Sequence, residues 1–386
     1  METAPSVFEL GALLLAAVAA GWLARRFGLP AVIGYLVLGV AVSPFTPGFV
    51  ADREQLQLLA DVGVVLLLFE VGIEVDLWRL RREHGQLAWA APLQVLITTL
   101  LAAAVVLVLG LEPVAAVVIG LAIALSSSVV IVNITRSRRR TTDHPTEVAM
   151  LGWSVVQDVT GVVLAAVVLA TLEGEPGAFI GSLVGLAAYA ALAIVTALAL
   201  PRLLRRLREQ PDLFLLTSVA SGLALAGLGA IAFGVPLALA AFIGGLAITE
   251  DPVSREARRQ LLPFRDLFAV LFFVAIGALI DPRELAEGLG WLGLFLALIV
   301  GAKVIPAYLI ARRAAIGTRP LQLAVGLGQV GEFSFVLAAL LAADGAIGSP
   351  VYVAMIAAVA ISIGASAILV RLVPAPVQPG QASARA

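Results

Sequence analysis

Thirteen apolar runs fill this chain, each about long enough to cross a lipid bilayer as a helix. They lie at 6–24, 30–46, 56–74, 86–109, 113–135, 147–171, 178–200, 212–231, 234–249, 264–280, 289–311, 320–343 and 348–371. In hydrocarbon every backbone polar group must be bonded within the protein, so such runs fold as helices or as closed barrels. The short alternating segments of a barrel are absent, which leaves an all-α membrane protein. Composition narrows the function. At 61% hydrophobic and 13% charged, the chain is not a soluble domain with a large core. A net charge of −1 gives no basic surface for nucleic acid. With no cysteine there is no disulfide, no thiol catalysis and no cysteine-ligated metal. His84 and His144 fall in charged connections, which excludes an imidazole metal site inside the membrane. Glu2 and Glu9 precede any basic residue, so the start is not a secretory signal peptide. Residues 1–373 read as one membrane unit, and the polar tail 374–386 as disordered.

Charge orders the connections. Arg25-Arg26, Arg79 to Arg82, Arg136 to Arg140, Arg202 to Arg208, Arg255 to Arg265 and Arg312 to Arg319 fall in alternate loops, and Arg371 and Arg385 follow the last span. Of 25 basic residues, 22 thus fall on one side, and only Arg53 and Arg283 on the other. The positive-inside rule places the N-terminus outside and the C-terminus in the cytoplasm, as in a multi-pass protein of the cell's inner membrane.

A repeat divides the spans. Phe27-Gly-Leu-Pro30 opens span two and Phe233-Gly-Val-Pro236 opens span nine, 206 residues on. Leu68-Phe-Glu-Val-Gly-Ile73 resembles Leu271-Phe-Phe-Val-Ala-Ile276 at an offset of 203. Repeat one, about 6–171, then matches repeat two, about 212–371, around a linking helix at 178–200. Because the link is a single span, the second half is inverted, the arrangement of secondary transporters with a midplane site. The same offset pairs Leu125-Ser-Ser-Ser128 in span five with Gly326-Leu-Gly-Gln-Val-Gly-Glu-Phe-Ser334 in span twelve. Serines offer the backbone competing hydrogen bonds and glycines permit unwinding, so two discontinuous helices are expected to cross there. Close helix packing is the other reading of the glycines.

Ionisable groups inside the spans mark the site. Asp158 sits near the middle of 147–171, where a carboxylate is expensive and points to an ion or proton site, or to a helix pair held by a buried Asp. Lys303, the one lysine, lies within span eleven and needs a partner, a wet cavity or a route to the interface. Glu332 follows the break in span twelve and serves either the ion path or, as favoured here, a structural pairing. Asp61 and Glu70 in span three are weaker candidates, and Glu74 and Asp76 read as solvated.

A buried carboxylate holds a proton or a small monovalent cation in competition. Combined with alternating access, competition gives exchange. Gln157 can lend a carbonyl oxygen without charge, and the hydroxyls of Ser126, Ser127, Ser128, Ser154 and Thr160 can complete an oxygen shell. No Gly-x4-Gly-Lys-Ser/Thr loop is present for an ATP-driven pump, and no His-Glu-x2-His for a zinc protease. The serines lack an intramembrane His, which argues against a hydrolase. The residues therefore describe a transporter, not an enzyme, with no cofactor and no metal beyond the transported ion. A channel or ion sensor on the same scaffold is the alternative.

Gln157-Asp158, Lys303, Gly331-Glu-Phe-Ser-Phe335 and Phe69-x-Val-Gly-Ile-Glu-Val-Asp76 together resemble the cation:proton antiporter-2 family. The Gln-Asp pair and the Gly-Glu-Phe segment are most similar to its Kef-type potassium/proton branch. The resemblance implies thirteen helices, a core with two crossed broken helices, a homodimer through the other domain and elevator-type movement. It assigns ion binding to Asp158 and favours potassium, with sodium as the alternative. The electrogenic sodium branch carries Asp-Asp, with the lysine neutralising the first; here Gln157 stands there, which suggests electroneutral exchange. Kef-type proteins continue into a cytoplasmic nucleotide-binding domain. This sequence has about fifteen residues after its last span and no Rossmann glycine fingerprint, so a separate cytoplasmic regulatory subunit or a truncated chain is expected.

Overall fold

The structure, a computed structural model, describes residues 4–373 except 44, 46–60, 64, 67, 71, 74–84, 136–140, 170–177, 236, 247–251, 279, 315–318 and 332. Glu74, Asp76, His84, the arginines between 136 and 140, Pro236, Glu332 and the tail 374–386 lie outside the described residues. Every described element is helical. In chain order these are α1 (Ala4–Arg26), α2 (Ala31–Ala41), α3 (Leu87–Val108), α4 (Pro113–Ala124), α5 (Ser128–Thr135), α6 (His144–Leu169), α7 (Ala178–Leu207) and α8 (Pro211–Phe233). They continue as α9 (Leu237–Leu246), α10 (Pro252–Ala278), α11 (Pro282–Glu287), α12 (Leu289–Leu298), α13 (Ile305–Arg313), α14 (Pro320–Gly326), α15 (Phe333–Ala343) and α16 (Ser349–Leu372). The described residues of 61–73 are helical as well. Among the described residues eight helices are long and apolar enough to cross a membrane, and α2, α4 and α15 are shorter apolar helices. The chain is thus a multi-pass membrane protein.

Local chemistry sets several ends. Arg25 and Arg26 close α1, Arg205 and Arg206 close α7, Arg312 and Arg313 close α13, and Arg371 closes α16. Cations there oppose the negative end of each helix dipole. The two Phe-Gly-x-Pro sequences behave alike: Gly28 and Gly234 follow helix ends with φ of 81° and 65°, the left-handed conformation that glycine adopts without steric cost. Helix α10 departs from the sequence reading. Arg258, Arg259 and Arg265 were expected in a connection, yet the helix starts at Pro252 and carries them all. The reason is Glu70, fully buried, which draws Arg258 Nε to 2.5 Å and Arg265 Nη1 to 2.8 Å. A buried carboxylate needs such partners, and the helix extends to supply them.

Two backbone crossings bind the halves. A Cβ on Gly39 of α2 would strike Val274 O and come within 2.7 Å of Gly277 Cα on α10. A Cβ on Gly72 would strike Phe242 O and come within 2.9 Å of Gly245 Cα on α9. Only glycine lets helices approach this closely. One apolar cluster gathers α4, α10, α12, α15 and α16; a second gathers residues 61–73 with α7, α8 and α9. In the second, the buried Tyr189 hydroxyl of α7 lies 2.7 Å from Ala240 O and 3.1 Å from Leu225 O. Outer faces keep Val184, Ile194, Val195 and Leu198 exposed, as lipid-facing helices do.

Candidate functional site

Helix α4 stops where the serines begin. Leu125 turns extended, with φ −83° and ψ 144°, and helix resumes only at Ser128. Helix α14 stops at Gly326 and α15 resumes at Phe333. Each break frees backbone groups that must find partners in an apolar interior. They find them in each other. Ser126 Oγ donates to Leu327 O at 2.7 Å, and Gly331 N donates to Leu125 O at 3.0 Å. The Gln329 amide spans Ser127, accepting from its N at 2.9 Å and donating to its O at 3.0 Å. Ser334 Oγ donates to Ala122 O at 2.6 Å. Gly331 is required here, since a Cβ would lie 2.9 Å from Ser126 C and Ser127 N.

Lys303 ties the crossing. Its Nζ donates to Leu125 O at 2.7 Å and to Gln329 O at 2.6 Å, one carbonyl from each break. The side chain is fully buried, so it does not reach an interface. It projects from a π-helical turn, Ile299–Val304, that joins α12 to α13. Pro306 sits just after the turn; its missing N–H and bulky ring break the normal ladder, and the wider turn absorbs the mismatch. The Asp158 carboxylate on α6, 3% exposed, acts electrostatically on this ammonium.

Helix α6 carries the other candidates. Gln157 is fully buried; its Nε2 donates to Gln94 Oε1 on α3 and lies 3.4 Å from Ala124 O, at the break. Ser154 is buried, one turn before Asp158, and donates to Leu151 O at 3.0 Å. Thr160 donates to Val156 O at 2.7 Å. Two residues beyond Asp158, it sits about 200° round the helix and faces away from the carboxylate. The crossing thus unites Ser126, Ser127, Lys303, Gln157 and Asp158, and leaves Thr160 apart. Glu332 is outside the described residues, as is the side chain of Ser128. Asp61 is half-buried, and Glu70 belongs to its arginine cluster.

Sequence reasoning missed Gln329 and Gln94. Gln329 stands 203 residues after Ser126, at the repeat offset, but an amide in an apolar run does not name its partner. Gln94 and Thr98 stand at i and i+4 on an apolar helix, a polar pair on one face that could have been read; Gln94 Nε2 donates to Thr98 Oγ1 at 2.8 Å.

Residues 13–373 match the family described as sodium/hydrogen exchanger, transmembrane. The chain is 34% identical over 347 residues to "Putative cation/proton antiporter YbaL" of Escherichia coli (strain K12), covering 86% of this chain and 62% of that protein. It therefore spans less than two thirds of the length of this relative. The structure of the sodium proton antiporter MjNhaP1 from Methanocaldococcus jannaschii at pH 8 superposes with a TM-score of 0.72 at 19% identity, covering 96% of this chain and 97% of that one. An electron-microscopy structure of the same antiporter gives 0.70. The fold is shared at this level.

Proposed function

Because the chain belongs to the sodium/hydrogen exchanger transmembrane family, we propose that it exchanges a monovalent cation, potassium before sodium, for protons across the membrane. The observation that carries this reading is the crossing: two helix breaks bonded to each other, with Lys303 tying them and Asp158 acting on it electrostatically. Asp158 takes up a proton or a cation, and each excludes the other. Oxygens of Gln157, Ser126, Ser127 and Ser154 supply the cation's remaining contacts. Lys303 holds both breaks and keeps one protonation state, charged or neutral, through the cycle, so the moving core carries one net charge state and exchange is electroneutral.

The architecture follows the same reading: thirteen helices, as six plus six inverted around α7, in a homodimer that works by elevator movement. Two features support the inversion. The Phe-Gly-x-Pro caps share one conformation. Gly39 corresponds by the 206-residue offset to Gly245, and Gly72 stands 205 residues before Gly277, close to the same spacing, while the contacts pair Gly39 with Gly277 and Gly72 with Gly245. A two-fold pseudo-axis interchanges those two crossings. Arginines at the ends of α1, α7, α13 and α16 support an N-terminus outside and a cytoplasmic C-terminus in the inner membrane.

Proteoliposomes with a pH dye inside test the reaction. Added potassium should collapse an imposed pH gradient, with rubidium following and sodium and lithium weaker. A pH gradient untouched by all four cations would overturn the proposal, and a sodium-only response would overturn the ion choice alone.

A further inference from the structure

We infer that Gln94 and Trp153 are positioning residues that set the polarity of the Gln157 amide, so that its carbonyl oxygen is the end offered to the cation. The inference rests on the proposed antiport. It begins with a group that has one option. An indole N–H donates and never accepts. Trp153 Nε1 lies 3.3 Å from Gln94 Oε1, so the oxygen end of the Gln94 amide must face α6. Its other end is fixed as well, since Gln94 Nε2 donates to Thr98 Oγ1 at 2.8 Å. The same Gln94 oxygen meets Gln157. An oxygen that only accepts requires a donor opposite, so the near atom of Gln157 is its Nε2. The second hydrogen of that nitrogen is directed to Ala124 O, 3.4 Å away at the break.

Both donors of the Gln157 amide are thereby turned toward α3 and α4. Its oxygen is what remains. Among the described residues Gln157 Oε1 is buried and has no hydrogen-bond partner, whereas Gln94, Thr98, Trp153 and Gln157 are all fully buried. Buried polar atoms without a partner are rare and call for an explanation, and an ion is one such explanation. An uncharged oxygen next in sequence to Asp158 suits a weakly hydrated monovalent cation. Reversing the amide would instead point an NH2 group at that cation. The relay from Trp153 through Gln94 prevents that reversal, without either residue touching the ion.

The test compares wild type with Gln94→Leu, which removes the acceptor, and Trp153→Phe, which keeps a ring but removes the N–H. In proteoliposomes both variants should raise the KM for potassium about tenfold, the scale of one lost contact to a charged group, and leave kcat near wild type. In detergent, the rise in melting temperature that potassium gives wild type should shrink in both. A purely structural role would lower the melting temperature without potassium and leave KM and the potassium-induced rise unchanged; that result overturns the inference. Trp153→Phe decides alone where Gln94→Leu does not fold. Wild type serves as the separate arm: if it exchanges no alkali cation, the antiport reading falls and takes this inference with it. If wild type exchanges and the variants keep its KM, only the inference falls.

Discussion

Two fully buried ionisable side chains in this protein are held in opposite ways. Glu70 is met by two guanidinium groups, Arg258 at 2.5 Å and Arg265 at 2.8 Å. Lys303 is met by two backbone carbonyls, Leu125 O at 2.7 Å and Gln329 O at 2.6 Å. Opposite charges neutralise; dipoles only solvate. At Glu70 a proton or cation would have to displace fixed arginines that lie between residues 61–73 and α10. At Lys303 two carbonyl dipoles hold the amine, and the carboxylate that acts on it electrostatically is Asp158. The first arrangement is a fastener. The second leaves a charge balance that a transported ion can change.

Exchanging the two carboxylates for amides should separate these roles most sharply. Asp158→Asn should abolish exchange in proteoliposomes while the protein still folds, because the amide neither takes up a proton near neutral pH nor holds a cation strongly. Glu70→Gln should do the reverse. It removes the charge that both arginines meet, although Arg265 keeps Asp266 at 2.6 Å, and should cost about 2 kcal/mol of stability, while each surviving molecule still exchanges. Thermal unfolding in detergent and dye-monitored exchange read the two effects. Full exchange by folded Asp158→Asn, or lost exchange in folded Glu70→Gln, would break the comparison.

Voltage sharpens it next. A membrane potential of 100 mV acts on one moving charge with about 2.3 kcal/mol. Wild type should show no net exchange when such a potential is imposed at equal ion gradients, since Asp158 carries either one proton or one cation. Gln157→Asp adds a second carboxylate near Lys303 and should make exchange voltage-driven, with a shift toward sodium. Voltage-driven exchange by wild type would mean that Lys303 gains and loses a proton in the cycle.

How far these sites were legible depended on range. Periodicity and hydropathy located α3, α8 and α16 within a few residues, because a bilayer forces apolar runs into helices. The repeat offset located both breaks, since serine and glycine carry local backbone preferences. Lys303 was visible as an anomaly but not as a tie, because its acceptors are carbonyls, which every residue has. Arg258 and Arg265 were misread as loop charges, since nothing local to 252–265 records that Glu70 lies against it. Gln329 and Gln94 escaped for the same reason: an amide in an apolar helix has meaning only once its partner on another helix is known.

A half-exposed charge should matter least. Asp143 precedes α6; its Oδ1 accepts from Thr146 N at 3.0 Å as an N-cap, and its Oδ2 lies 2.9 Å from Arg319 Nε as an ion pair. Burial pushes its carboxyl up, but the Thr146 hydrogen bonds and then the Arg319 charge outweigh that and hold it below the usual carboxylate range. A lowered carboxylate contributes stability above its unfolded pKa and loses it as pH falls through the folded value. The contribution is therefore constant between about pH 5 and 8 and disappears only in acid. Asp143→Asn keeps a capping oxygen and removes the charge, so solvent screening limits its cost to under about 1 kcal/mol. Asp143→Ala removes the cap too and should cost about 1 kcal/mol more. Unfolding of both variants across that pH range measures the difference. An Asn variant as damaged as the Ala variant would show that the Arg319 pair, and not the cap, holds this end of α6, and that charge pairs at the rim rival the buried cluster at Glu70.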